Sequence, residues 1–179
     1  VETGGVPLEL VFVRREAEQA GVDFLVDISG SLAPLWPFVR TVIGTLEQLG
    51  IDVNVYLFCS HIFPPDEIPP EEFHGVTDLK NAFEEYYEQR RAVLPRRAVV
   101  IFSDFRQSEG GYPGEVLQEI KKRAAKLVLL DPDPYPGEGD SLHYELEEEL
   151  GMEIYSTLTM EDLVKALEDE ILRKGIRRR

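Results

Sequence analysis

The chain has 179 residues, 43% of them hydrophobic, and a formal net charge of −15. This length and composition fit one globular domain with a substantial core and exclude a disordered tail. The strong negative charge argues against a nucleic-acid-binding surface and against docking on an anionic membrane, because both depend on basic patches.

Cysteine content and hydropathy bear on the cellular compartment. No stretch approaches the ~20 apolar residues that a membrane-spanning helix needs. Cys59 is the only cysteine, so no internal disulfide can form, and this favours a reducing environment. We therefore expect a cytoplasmic protein. Because the chain begins at Val1, we also expect it to be a fragment or the C-terminal domain of a longer protein.

Strand and helix patterns alternate through the first half of the chain. Residues 8–13 alternate as a strand, and the apolar run over 22–26 is typical of a buried strand in a parallel sheet. A polar turn then leads into an amphipathic helix that ends at Gly50. Residues 51–58 predict the next strand, and residues 60–63 suit a short antiparallel return.

The second half continues this alternation after a loop rich in proline and acidic residues. Its predicted elements are a helix over 78–91, a strand over 98–103, a helix containing Val116, Leu117 and Ile120, a strand over 126–130, a helix over 142–150, a strand over 152–155 and a helix over 160–174. Such alternation predicts an α/β fold, with a doubly wound, mostly parallel central sheet and helices on both faces.

Three oxygen-bearing side chains follow the strand over 22–26. They are Asp27, Ser29 and Ser31, and Gly30 allows a tight turn between the two hydroxyls. This places them at the carboxyl end of a strand, where ligands bind in open α/β sheets. A carboxylate with two hydroxyls suits Mg²⁺ or Mn²⁺ and does not suit zinc or copper.

Two further residues are expected at the same edge of the sheet. Thr77 stands just before a predicted helix, and Asp104 follows a predicted strand. Each has a simpler alternative, since Ser31 and Thr77 could cap helices and Asp104 could end a strand in a turn. We assign Asp78 to the helix start. The three histidines show no metal-ligand spacing and Cys59 has no base nearby, so we predict no catalytic residue.

The order Asp27-x-Ser29-x-Ser31, then Thr77, then Asp104 resembles the metal-ion-dependent adhesion site of von Willebrand factor A (VWA) domains. The resemblance covers most of the chain and implies a single VWA domain over residues 1–179. In this family the hydroxyls bind Mg²⁺ or Mn²⁺ directly, the aspartates often act through water, and a Glu or Asp of a protein partner completes the shell. The resemblance therefore implies a non-enzymatic, metal-dependent protein-interaction domain.

Shorter segments are similar to the prokaryotic CoxE-like group of VWA domains. They lie at residues 58–60, 77–79, 102–104 and 129–132. That group resembles partners of MoxR-type AAA+ ATPases in metal-centre assembly or protein maturation, so the similarity implies such an ATPase as a partner. The chain departs from the group at three places. Leu32 stands where Met is common, residues 74–76 replace a Gly-Gly approach to the threonine, and Phe105 replaces a frequent Gly.

Three other functions remain open from the sequence. A metal-dependent hydrolase of phosphate esters is disfavoured because no nucleophile–base pair is visible and Ser29 replaces the second Asp of many phosphatases. An RNA-linked role, known for some VWA proteins, is disfavoured by the charge, apart from the basic residues 177–179. A dinucleotide-binding domain is disfavoured because no Gly-x-Gly-x-x-Gly follows a strand.

Overall fold

One six-stranded sheet organises the part of the chain that the structure describes. The computed structural model describes residues 21–48, 50–64 and 77–173. The strands lie in the order β3-β2-β1-β4-β5-β6, and all neighbouring pairs are parallel except β2 and β3. The strands are β1 Gly21–Asp27, β2 Val53–Phe58, β3 Ile62–Phe63, β4 Arg97–Phe102, β5 Lys126–Asp131 and β6 Ile154–Ser156. The helices are α1 Trp36–Gln48, α2 Leu79–Arg90, α3 Gly114–Arg123, α4 His143–Leu150 and α5 Met160–Leu167.

The predicted fold class is confirmed, and the differences lie at the ends of elements. The short antiparallel return is present as β3. The closing helix is α-helical only to Leu167 and continues as a π-helix over Glu168–Arg173. The predicted strand over 8–13, His74 and the basic residues after 173 lie outside the described residues. In the described part of the chain, no helix is long and apolar enough to cross a membrane.

Each face of the sheet carries its own hydrophobic core. Alternate residues of β1 point to opposite faces, so Leu25 belongs to one core and its neighbours Phe24 and Val26 to the other. Helices α2, α3 and α4 cover the Leu25 face, whereas α1 and α5 cover the opposite face. Because both faces are buried, the central strands are almost continuously apolar, as expected for a parallel sheet.

The chain reverses its winding direction at β1. It passes from β1 to β2 on one side, and later places β4 on the other side of β1. The crevice beyond the carboxyl ends of β1 and β4 is therefore the topological switch point, where open α/β sheets bind ligands. Asp27 is the last residue of β1, and Asp104 follows the end of β4 by two residues. The topology alone brings these two aspartates to the crevice.

A buried charge network lies towards the amino end of β1. Asp23 is fully buried and accepts hydrogen bonds from Tyr86 Oη at 2.8 Å, Arg90 Nε at 3.0 Å and Arg97 Nε at 2.7 Å. Asn54 Nδ2 also donates to Asp23, at 3.0 Å. A buried carboxylate is tolerated only when its lone pairs are paired in this way. The network ties β1 and β2 to α2 and to the start of β4.

Candidate metal centre

Asp27 forms the buried floor of the site. Its Oδ1 accepts a hydrogen bond from the Ser29 backbone N–H at 2.8 Å, and its Oδ2 accepts one from Ser103 Oγ at 2.7 Å. Burial raises the pKa of Asp27 to about 7, and the neighbouring Asp104 carboxylate also raises it. A cation bound beside Asp27 would favour the ionised carboxylate and offset this burial.

The hydroxyls of the turn link Asp27 to Asp104. Ser29 Oγ and Ser31 Oγ lie 3.1 Å apart, and Ser31 Oγ donates to Asp104 Oδ2 at 2.7 Å. Asp104 Oδ1 accepts from the Arg106 backbone N–H at 3.1 Å, so Asp104 also shapes its own turn. The Ser31 hydroxyl thus joins the loops that follow β1 and β4.

Thr77 is held by the loop that follows β4. Its backbone N–H donates to Ser108 Oγ at 3.0 Å, and its carbonyl accepts from the backbone N–H groups of Ser108 and Glu109 at 3.0 and 3.2 Å. The side chain that caps α2 belongs to Asp78, as predicted. Thr77 and Asp104 are therefore carried by loops that are hydrogen-bonded together.

An open cleft of about 320 Å³ brings the hydroxyls to one surface. Its lining residues are Ser29, Gly30, Ser31, Thr77, Arg106, Gln107, Ser108 and Asp140. The structure thus places the five predicted residues together. A chain of hydrogen bonds runs from Asp27 through the two serines to Asp104, and Thr77 shares the cleft wall with the serines. The side-chain oxygens of the predicted set lie at or just beneath a surface that an incoming group can reach.

The chemistry of this donor set fits a hard divalent cation. Two carboxylates and three hydroxyls provide oxygen atoms alone, the ligands that Mg²⁺ and Mn²⁺ prefer. Among the described residues, no group of three or more His, Cys, Asp or Glu side chains is placed to hold a metal ion. The zinc-type alternative, which needs nitrogen or sulfur ligands, therefore has no support in this part of the chain.

Sequence reasoning missed three residues around the site. Ser103 donates to Asp27, and its position beside Asp104 at the end of an apolar strand was a usable signal. Arg106 pairs with Asp133, its Nε and Nη2 donating to Oδ2 at 3.0 and 2.6 Å. No local sequence pattern predicts this ion pair, because the two residues belong to loops that follow different strands.

Phe105 is one of the departures from the VWA pattern, because it stands where Gly is frequent. It has φ of 52°, a left-handed conformation that usually favours Gly, yet its ring is fully buried in the core beside α2, α3 and α4. Its N–H donates to Ser103 Oγ at 3.0 Å, and its carbonyl accepts from the Leu142 N–H at 2.9 Å. The turn that carries Asp104 is thus anchored by a buried aromatic ring.

In EDTA, the domain is expected to lose stability between pH 5 and pH 8 through Asp27. Its folded-state pKa of about 7 exceeds the ordinary value of 3.8, so between these two values the native state keeps a proton that the unfolded chain has released, and above pH 7 both states have released it. In Asp27→Asn, position 27 cannot titrate. At pH 8 the free energy of unfolding of this variant should therefore be about 1–3 kcal/mol higher than that of the wild type. Urea unfolding of both proteins at the two pH values measures this, and a pH-independent difference contradicts it.

Comparison with known proteins informs the fold. No protein-family model and no curated protein matches the chain. The manganese-loaded TRAP protein of Plasmodium vivax is similar in structure over 87% of this chain and 74% of that chain, with a TM-score of 0.56 and 17% identity. The ArnB paralog VWA2 from Sulfolobus acidocaldarius is similar over 83% of this chain and 44% of that chain, with a TM-score of 0.50 and 14% identity. This chain therefore has the fold of a VWA domain.

Proposed function

We propose that this domain is a non-enzymatic protein-interaction module that depends on a divalent cation. The proposed metal ligands are Asp27, Ser29, Ser31, Thr77 and Asp104. The observation that carries the proposal is the Ser29–Ser31–Asp104 chain of oxygens at the topological switch point, within an open cleft. When bound, the metal supplies a coordination position that a group from another protein can fill.

Charge balance supports a carboxylate as that group. Asp27 and Asp104 contribute −2 when ionised, which balances a divalent cation. Three neutral hydroxyls add no further negative charge. A Glu or Asp of a partner can then approach a nearly neutral site without strong repulsion. The partner we propose is therefore a protein that offers an acidic side chain.

The proposed cation is Mg²⁺ or Mn²⁺. Oxygen ligands support both ions equally. The similar TRAP structure is manganese-loaded, which supports including Mn²⁺. The proposal of a non-enzymatic role rests on the likeness to VWA-fold proteins.

The partner class can be proposed one step further. The segments at 58–60, 77–79, 102–104 and 129–132, which resemble the CoxE-like group, are the sequence basis for proposing a MoxR-type AAA+ ATPase. Co-purification of such an ATPase in Mg²⁺ but not in EDTA supports this partner. Co-purification that is equal in both conditions contradicts a metal-dependent contact.

The metal site is tested by calorimetric titration with Mn²⁺. The wild type should bind one ion, and Asp27→Ala should bind it about 10–100-fold more weakly, the usual cost of losing a partner that orients a metal site. Glu119→Ala is the matched control, because it removes an exposed carboxylate that pairs with Lys122 on α3. Equal titrations for the wild type and Asp27→Ala contradict the assignment.

Thr77 separates partner binding from metal retention. Thr77→Ala removes one hydroxyl and leaves both aspartates, so metal binding should weaken but persist. Partner binding should fall by about 1–3 kcal/mol, comparable to leaving a strong polar contact unmade. Thr77→Ser keeps the hydroxyl and should retain most of both activities. If Thr77→Ala binds the partner as the wild type does in Mg²⁺, the metal site is not the interaction surface.

A further inference from the structure

Arg106 lies in the wall of the cleft and carries a positive charge there, although the domain as a whole is acidic. Among the described residues that line the cleft, the only charged side chains are Arg106 and Asp140. The Arg106 side chain is 40% exposed, so an incoming group can reach it. The chain as a whole has a net charge of −15, which repels acidic ligands in general. A cation at this position therefore favours an acidic ligand locally, against the charge of the whole chain.

The guanidinium is held in place and still has donors to offer. Nε and one N–H of Nη2 bind the same oxygen of Asp133, which uses two of the five donors of an arginine side chain. Asp133 is itself buried and fixed, because its Oδ1 accepts from the Tyr135 N–H at 2.9 Å. Three donors of Arg106 remain for an acceptor that enters the cleft.

Arg106 and the proposed metal share a neighbour. Arg106 Nε lies 3.9 Å from Asp104 Oδ2, the oxygen that also accepts the Ser31 hydroxyl at 2.7 Å. A cation held by Ser31 and Asp104 would thus lie beside the guanidinium. A carboxylate has two oxygens, and guanidinium and metal ions are each strong partners for one.

Resting on the proposed metal-dependent function, we propose that Arg106 is a specificity-determining residue. It binds one oxygen of the incoming carboxylate while the other oxygen completes the metal shell. The site then selects Glu or Asp over Gln or Asn, because an amide would turn its NH₂ group towards either the guanidinium or the metal. This NH₂ group would be repelled by the guanidinium or the metal, which weakens the binding of Gln or Asn. Asp133 is the positioning residue that aims the guanidinium.

The test uses acetate and acetamide as probes of the Mn²⁺-loaded domain. Paramagnetic broadening of the methyl proton signal measures binding of each probe next to the ion, with protein in excess so that free Mn²⁺ is negligible. Arg106→Ala should keep Mn²⁺ binding and weaken acetate binding about tenfold, as expected for loss of a charge-assisted hydrogen bond. Arg106→Lys keeps the positive charge but loses the planar array of N–H donors. Its affinity for acetate should therefore lie between those of the wild type and Arg106→Ala. Asp133→Asn should also weaken acetate binding.

Two controls make the outcomes distinct. Arg91→Ala removes an exposed arginine that pairs with Glu88 after α2, and should bind acetate as the wild type does. If Arg106→Ala keeps Mn²⁺ and binds acetate with wild-type affinity, or if the wild type binds acetamide as well as acetate, the role of Arg106 is wrong and the metal site stands. If the wild type binds no Mn²⁺, the proposed function fails and this inference fails with it.

Discussion

Replacing Asp23 by alanine is expected to lower the free energy of unfolding by about 3–5 kcal/mol, the usual cost of removing one partner from a buried ion pair. The substitution removes the acceptor shared by Tyr86, Arg90 and Arg97. Arg97 is 8% exposed, so its charge would remain in the interior without this carboxylate. Urea unfolding followed by circular dichroism measures the change.

Asp52→Ala is the control for Asp23→Ala. Asp52 also pairs with Arg97, but its side chain is 72% exposed. Because the Asp52 carboxylate is largely solvated and Arg97 keeps its pairing with Asp23, this substitution should lower stability by only about 0–1 kcal/mol. Equal losses for the two variants would show that the burial of Asp23 does not matter.

Replacing Phe105 by alanine is expected to cost about 3–5 kcal/mol, because it empties a fully buried aromatic site. The backbone makes a second, sharper expectation possible. At φ of 52° a non-glycine residue pays roughly 1–2 kcal/mol, and glycine does not. Phe105→Gly should therefore be less destabilising than Phe105→Ala. Urea unfolding of both variants gives the order.

Phe83 provides the matched comparison for this order. Its ring is also fully buried, but it lies within α2, where glycine is about 1 kcal/mol worse than alanine. Phe83→Gly should therefore be less stable than Phe83→Ala, the reverse of the order at position 105. The same order at both positions would contradict the left-handed conformation of Phe105.

The positions of the central strands could be predicted because buried positions are occupied by apolar residues, which can be recognised in the local sequence. The run over 22–26 is apolar on both faces, and β1 occupies that place with helices above and below. The meeting of Asp27 and Asp104 followed from the same logic, since adjacent parallel strands end at one edge. That these oxygens bind a metal stays a prediction.

Other features depend on tertiary contacts and could not be predicted from the local sequence. Arg106 meets Asp133 only because β4 and β5 are neighbours and their loops turn towards each other. Phe105 combines a left-handed backbone with a fully buried ring, against the usual preference of a non-glycine residue. Thr77 is carried by a different segment from the turn after β1, and only the folded structure shows that its backbone is hydrogen-bonded to Ser108 in the loop after β4.

The position of the Asp23 network has a consequence for protein engineering. The network stabilises β1 near its amino end, whereas the cleft lies beyond the carboxyl end of the same strand. Cleft residues such as Gln107 and Asp140 can therefore be randomised while the buried ion pairs stay intact. A library built at these positions should yield mostly folded domains with altered recognition, which makes this scaffold a starting point for selecting new binders.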